Sequence, residues 1–361
     1  MNKEVLKAKK ALDALINKSR VHLYKPIQIG EILYHSRVYN DVNLDDLESY
    51  RNKSKHWRNE MTKILLGRVC TSSARFQDDL FNETAIPPKT LKVLAIENKK
   101  SKGAVEAYIY SRFISRQDQL SDALNKCINA TKETFYLKNF INSFWTQPGL
   151  KRSLDKIYEI IVYSLFSTLV EALKLQTVVC VDSTKIGILT EFEDFAKMVM
   201  CLDAKTHTST QDAKVFRVGI TNAADRGLDM YSNWGPAIQI KHLSLDVELA
   251  QSIVTNIASD RVVIVCKDAE KKIIVSLLTQ IGWKSKIQSI ITEKNLISWY
   301  EKALRGKYAN SIGNTLLKKL RTEIAKEFPS IKNTPQILRE RHYELIKNTD
   351  WAAKNQKQNT K

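Results

Sequence analysis

The spacing of apolar residues changes once along this 361-residue chain, at Gln147-Pro148-Gly149. Before that point the spacing is helical. Leu6, Leu12, Leu15 and Ile16 share one helical face, Pro26 in KPIQIGEILY marks a helix start, and Asp45 to Leu66 reads as a second long helix. Ala85-Ile86-Pro87-Pro88-Lys89 is a breaker, Lys99 to Gly103 is a basic loop, and Ala104 to Arg116 is helical again. After the boundary, Ser153 to Leu175 predicts a long, strongly apolar helix. Short β-branched runs follow: Thr177 to Val181, Val215 to Ile220, Ala237 to Leu243 and Val262 to Cys266. Helical stretches at Leu189 to Cys201, Val247 to Ala258 and Ala269 to Ile281 separate several of them. Strands interleaved with helices predict an α/β layered core. From about residue 296 the chain returns to basic helix, and the polar tail Ala352 to Lys361 is expected to be disordered. The organisation predicted is a mainly helical region at 1–149, an α/β core at 150–300, and a basic helical region with its tail at 301–361.

Charge narrows the partners. Lys and Arg number 57 against 39 Asp and Glu, a net of +18, and such an excess suits a polyanion because neutralised phosphates release their counterions. Charge alone does not separate DNA from RNA or from an acidic membrane surface. The five cysteines, Cys70, Cys127, Cys180, Cys201 and Cys266, are odd in number and contain no CxxC pair, which argues against a disulfide framework or a zinc site. Cys180, Cys201 and Cys266 lie in apolar runs and read as small core residues. No signal peptide is apparent, and the most apolar stretch, Ile157 to Leu175, contains Glu159 and Glu171. A cytoplasmic protein without a membrane partner is expected. No internal repeat and no GxxxxGK[ST] loop occur, so ATP-driven translocation has no support.

The stretch with most chemistry is NAADRGLDMYSNWGPAIQIKHLSL, residues 222–245. It ends in a strand whose alternation puts Gln239 and Lys241 on one face, with Ile238 and Ile240 on the other. A polar pair on an otherwise apolar strand is costly unless solvated or used. Ten positions earlier lies Asp229, and the turn-prone Ser232-Asn233-Trp234-Gly235-Pro236 between them predicts a hairpin that returns Asp229 beside Gln239 and Lys241. Such a group suits phosphodiester hydrolysis with magnesium, which takes hard oxygen ligands and keeps several waters. Asp229 supplies a carboxylate, Gln239 an amide oxygen and Ile240 its carbonyl. Lys241 orients or deprotonates the attacking water and stabilises charge on the phosphate. The bland alternative is an ordinary strand with a solvent-facing Gln and Lys.

The spacing resembles the PD-(D/E)XK nuclease superfamily: an acid, a short loop, an acid-x-lysine strand, then a helix and a further strand. Asp229 takes the first acid position and Lys241 the lysine. Gln239 departs from the usual Asp or Glu, which removes one negative charge and weakens the hold on a metal. The runs KKALDALINKSRVHLYKPIQIGEILYHSR and ADRGLDMYSNWGPAIQIKHLSL look like the HaeII family of type II restriction endonucleases. That resemblance implies a restriction-endonuclease-like core, a mixed central sheet flanked by helices, with large helical additions at both ends. It also implies a bacterial, Mg2+-dependent site-specific deoxyribonuclease of a restriction-modification system that cuts duplex DNA at the palindrome RGCGCY. A palindromic target favours a twofold homodimer, and a cognate methyltransferase is the expected genetic partner, without a stable complex.

Further candidates carry weaker signals. Glu193, in TEFEDFAKMVMC, sits where superfamily members often place an acidic metal ligand on a helix, but a solvated helix face is an equal reading. Arg226 could reach a phosphate or a guanine edge, and Asn233 and His242 flank the same strand. His242 reads better as a satisfied core histidine than as a base. LKKLR at 317–321 and RERHY at 339–343 read as basic helical surface able to track a DNA backbone. The rival readings are a non-catalytic DNA-binding or regulatory protein, and a repair or transposition nuclease of the same fold.

Overall fold

The computed structural model describes residues 1–69, 78–218, 228–257, 259–268, 286–328, 334–346 and 349–351. In chain order its helices are α1 (Lys3–Lys18), α2 (Tyr24–Val38), α3 (Leu47–Leu66), α4 (Pro88–Lys100), α5 (Ala104–Ile128), α6 (Leu137–Thr146), α7 (Leu154–Ala172), α8 (Ile186–Glu191), α9 (Glu193–Phe195), α10 (Val247–Asn256), α11 (Glu293–Arg305), α12 (Ala309–Glu327) and α13 (Thr334–Glu340). The strands are β1 (Gln176–Cys180), β2 (Thr208–Asp212), β3 (Val215–Arg217), β4 (Met230–Ser232), β5 (Ala237–Lys241), β6 (Val262–Cys266) and β7 (Ile287–Thr292). The chain is therefore a mixed α/β protein. None of the described helices is long and apolar enough to cross a membrane. The expected helix at 269–281 and the tail at 352–361 lie outside the described residues.

Packing divides the chain into two compact units: Met1–Ala130 with Phe135–Ile157 and Ile324–Lys361, and Thr131–Thr134 with Tyr158–Glu323. In the first unit α2 packs on α3, α4 and α5. Ile27, Ile29, Ile32 and Leu33 are all buried, so α2 is apolar nearly all round, as a central helix must be. Two carboxylates are buried with it, and each draws in partners because an unpaired buried charge is prohibitively costly. Glu31 accepts two bonds from the Arg341 guanidinium, at 2.7 and 2.9 Å, and a third from Tyr110. Glu106 accepts from Arg37 at 2.9 and 2.8 Å, from Tyr343 at 2.7 Å and from Asn98. The RERHY segment is thus no basic helical surface. α13 ends at Glu340, Arg341 and Tyr343 turn inward, and the Tyr343 ring stacks on Tyr110. Of the two arginines in this stretch, Arg341 is spent on Glu31, while Arg339 stays exposed.

The second unit holds a five-stranded sheet in the order β3-β4-β5-β6-β7. β3 pairs with β4 and β4 with β5 antiparallel, whereas β5 pairs with β6 and β6 with β7 parallel. β6 is buried at every position, as a central parallel strand covered on both faces should be. α10 follows β5. Asp246 caps it by accepting from the Leu249 N–H at 2.8 Å, and Ala250, Ile253 and Ile257 form its buried stripe. That stripe packs on Ala237, Val262, Ile264 and Ile287. On the opposite sheet face, Arg217 of β3 forms a buried ion pair with Glu323 of α12 at 3.2 Å. A separate two-stranded antiparallel ribbon, β1-β2, precedes the sheet.

Candidate active site

β4 and β5 form the hairpin that places the predicted group. Met230 pairs with Ile238 and Tyr231 with Ala237. The turn between them is closed by bonds of 3.1 Å from both Ser232 N and Oγ to the Pro236 carbonyl. Gly235 sits at φ +118°, a backbone region L side chains rarely adopt, and a Cβ there would lie 2.0 Å from Arg261 Nη2. That same nitrogen donates to the Trp234 carbonyl at 2.9 Å, so Arg261 clips the turn to the start of β6.

β4 is two residues shorter than β5, and the site lies where the ladder stops. Asp229 continues the register opposite Gln239, and on its other edge its carbonyl carries on the β3 ladder by accepting from the Val218 N–H at 2.9 Å. The Ile240 N–H, which a longer β4 would have satisfied with its backbone, donates instead to Asp229 Oδ2 at 2.7 Å. Gln239 Nε2 donates to the same oxygen at 2.5 Å. In a strand a residue's N–H and C=O leave on the same edge, so the Ile240 carbonyl also faces the Asp229 side. Gln239 is buried, and its Oε1 has no hydrogen-bond partner among the described residues. Lys241 lies two residues along on the Gln239 face, half-buried, about 7 Å further on at strand spacing.

Asp229, Gln239 and Ile240 are thus brought into direct contact, and Lys241 shares their sheet face. Glu193 is placed differently. It accepts from the Ala204 N–H at 3.3 Å and pairs with Lys197 at 3.4 Å, and neither partner belongs to the Asp229 group. Asn233 has its amide committed to the fold, donating to the Asp212 carbonyl at 2.9 Å and accepting from Lys214 N–H at 2.8 Å. His242 is half-buried and already engaged by a neighbour. Arg226 lies outside the described residues. Among the described residues no cluster of three His, Cys, Asp or Glu side chains could hold a metal.

Two features escaped sequence reasoning. Phe216 and Tyr231 stack across β3 and β4 at 5.0 Å, partly exposed, on the same sheet face as Asp229. Cross-strand register, and not local spacing, brings them together. Cys180 and Cys201, read as core residues, are exposed; only Cys127 and Cys266 of the described cysteines are buried. Burial together with nearby Asp268 pushes the Cys266 thiol up to about 11, so it stays protonated and inert beside Lys241 in the β5-β6 register.

Comparison of the sequence with known proteins points to one family. No solved structure matches the chain. The type II restriction enzyme HaeII of Haemophilus aegyptius is 54% identical over 338 residues, 93% of this chain and 96% of the relative. The type II restriction enzyme NgoBI of Neisseria gonorrhoeae is 53% identical over 338 residues, 94% of this chain and 96% of the relative. With the HaeII restriction endonuclease profile matching residues 8–343, the chain belongs to that family, whose members are type II site-specific deoxyribonucleases.

Proposed function

We propose that this chain hydrolyses both strands of duplex DNA at a short palindrome, RGCGCY as the family resemblance implies, in a Mg2+-dependent reaction at Asp229, Gln239 and Lys241. One observation carries the reading. Asp229 Oδ2 holds Gln239 and Ile240 at the end of a truncated strand pair, and leaves Gln239 Oε1 buried without a donor. A buried amide oxygen without a partner costs about 1–3 kcal/mol, a cost that a cation would relieve. The donor set is all oxygen and carries one carboxylate, which suits a metal that takes one or two carboxylates and completes its shell with water and substrate phosphate.

The residues divide the work. Asp229, Gln239 Oε1 and the Ile240 carbonyl would hold the cation, which when bound would activate water and polarise the scissile phosphate. Asp229 also fixes the Gln239 amide through Nε2, so that Oε1 is the atom presented. Lys241 orients the attacking water and offsets charge growing on the phosphoryl oxygens. The products are 5′-phosphate and 3′-hydroxyl ends. On this reading β3 to β7 with α10 make up a restriction-endonuclease-like core, and the helical segments on either side are additions to it. The chain works in the bacterial cytoplasm as a homodimer, one copy per strand, beside a methyltransferase encoded nearby that protects the same site.

The test is incubation of the purified protein with phage DNA and Mg2+, followed by sequencing of the fragment ends. Discrete fragments with one terminal sequence support the reading. Retardation without cutting supports a DNA-binding protein, and structure-dependent nicks support a repair nuclease. Lys241→Ala should reduce cutting by at least about a hundredfold while binding persists. Normal cutting by that variant would remove Lys241 from the mechanism.

A further inference from the structure

The residues between α7 and β3 are turned inside out. β1 and β2 form a two-stranded ribbon exposed along nearly its whole length. A ribbon of two strands is marginal in water without a covering layer. The α8–α9 segment beside it has a buried cluster of only Leu189, Ala196 and Leu202. Its larger side chains point outward: Ile188, Phe192, Phe195 and Val199 are each more than half exposed, Met198 is 85% exposed, and Val178 of the ribbon is also more than half exposed. So many large apolar side chains left exposed on one short segment mark a contact site.

Charge identifies the occupant. Residues 173–212 contain four lysines, no arginine and six acidic residues, within a chain of net +18. A slightly acidic face repels a phosphate backbone, so nucleic acid does not fit it. Charges of both signs among exposed apolar side chains fit a self-complementary contact, in which one patch meets its own copy across a twofold axis. The active site supplies the reason for a copy. One chain presents one Asp229–Gln239–Lys241 set among the described residues, and a duplex has two strands to cut. We propose that the face formed by the β1-β2 ribbon and the α8–α9 segment is where a second copy of this chain docks. The choice of occupant rests on the nuclease reading above; the need for a cover does not.

The experiment uses the full chain without metal or DNA. Sedimentation velocity over a concentration series gives the mass, and alkylation of Cys180 and Cys201, both exposed on this segment, reports the cover. Wild type is expected as a dimer with both thiols protected. Met198→Lys, at a position too exposed to contribute packing within the chain, should weaken the dimer by roughly tenfold or more and speed alkylation. The variant should then nick plasmid in place of cutting both strands. A monomeric wild type, or a dimer unchanged by Met198→Lys, overturns the proposal. So does a variant of unchanged mass and lower Tm, since the cover would then come from the same chain. Thiols protected only when DNA is added would assign the face to nucleic acid and also overturn it. Mass and alkylation are read without catalysis, so failure of the nuclease reading would appear separately, as a dimer that does not cut.

Discussion

At the scale of single residues, the informative position is Gln239, where an amide stands in place of an acid. Its Nε2 bonds to Asp229 at 2.5 Å. Gln239→Glu would set two carboxylates against each other there, and like charges at that distance disfavour joint ionisation. Without metal the variant should melt below wild type. With added Mg2+ its Tm should rise more than that of wild type, because the added charge binds the cation while the repulsion disappears. If Mg2+ moves neither Tm, Asp229 and Gln239 are not a metal site. His22, in the helical unit, gives a separate pH prediction. Burial first, then the charges of Arg68 and Arg20, lower its pKa to about 3, and its Nδ1 is buried without a partner. Below pH 6.5 the unfolded chain takes up a proton that the folded chain refuses until near pH 3. Stability from this group is therefore complete above 6.5 and declines as pH falls through that window. The loss between pH 7 and pH 5 is up to about 2 kcal/mol. Urea melts at the two pH values should show a smaller difference for His22→Gln; an equal difference would mean that His22 titrates normally in the native state.

At the scale of elements, the β4-β5 hairpin does for Asp229 what no local pattern could. Gly235 at φ +118° is the part of it least open to change. Gly235→Ala should cost about 1–2 kcal/mol in a thermal or urea melt. Adding Arg261→Ala, which removes the atom 2.0 Å from the new Cβ, should not restore stability, since the backbone strain remains. Full recovery in the double variant would place the cost in the collision. The hairpin also shows what was legible in the sequence. Strand alternation put Gln239 and Lys241 on one face, and the Ser232–Pro236 turn announced the return of Asp229. What spacing did not show is that β4 pairs with β5 only as far as Met230, leaving the Ile240 N–H to the Asp229 side chain. Arg341 and Glu31 lie 310 positions apart, so RERHY looked like surface because its partner was out of range of any periodicity. The core reading of Cys180 and Cys201 failed for a different reason. Apolar surroundings in sequence say only that a face needs cover and not that the same chain supplies it.

At the scale of the whole molecule, the distribution of charge separates two surfaces with two tasks. Residues 173–212 carry a slight acidic excess, so the net charge of +18 is carried entirely by the rest of the chain. Arg341, Arg37 and Arg217 are spent on Glu31, Glu106 and Glu323, and part of the basic content is therefore structural. Enough lysine and arginine remains for a DNA complex whose affinity depends on ion release, and salt measures how many phosphates are engaged. Binding by Lys241→Ala, which should hold DNA without cutting it, is the suitable assay. Each neutralised phosphate contributes about −0.9 to the slope of log K against log salt, so six to ten contacts imply a loss of about 10³ to 10⁵ in affinity between 50 and 200 mM salt. A DNA carrying RGCGCY and a scrambled duplex should both lose affinity steeply, because the backbone term is common to them. They should remain separated by about 10³ or more at any one salt concentration, because base readout adds on top of it. A slope near zero would refute phosphate-driven association. A steep slope with equal affinity for the two duplexes would leave the charge argument standing and remove the palindrome.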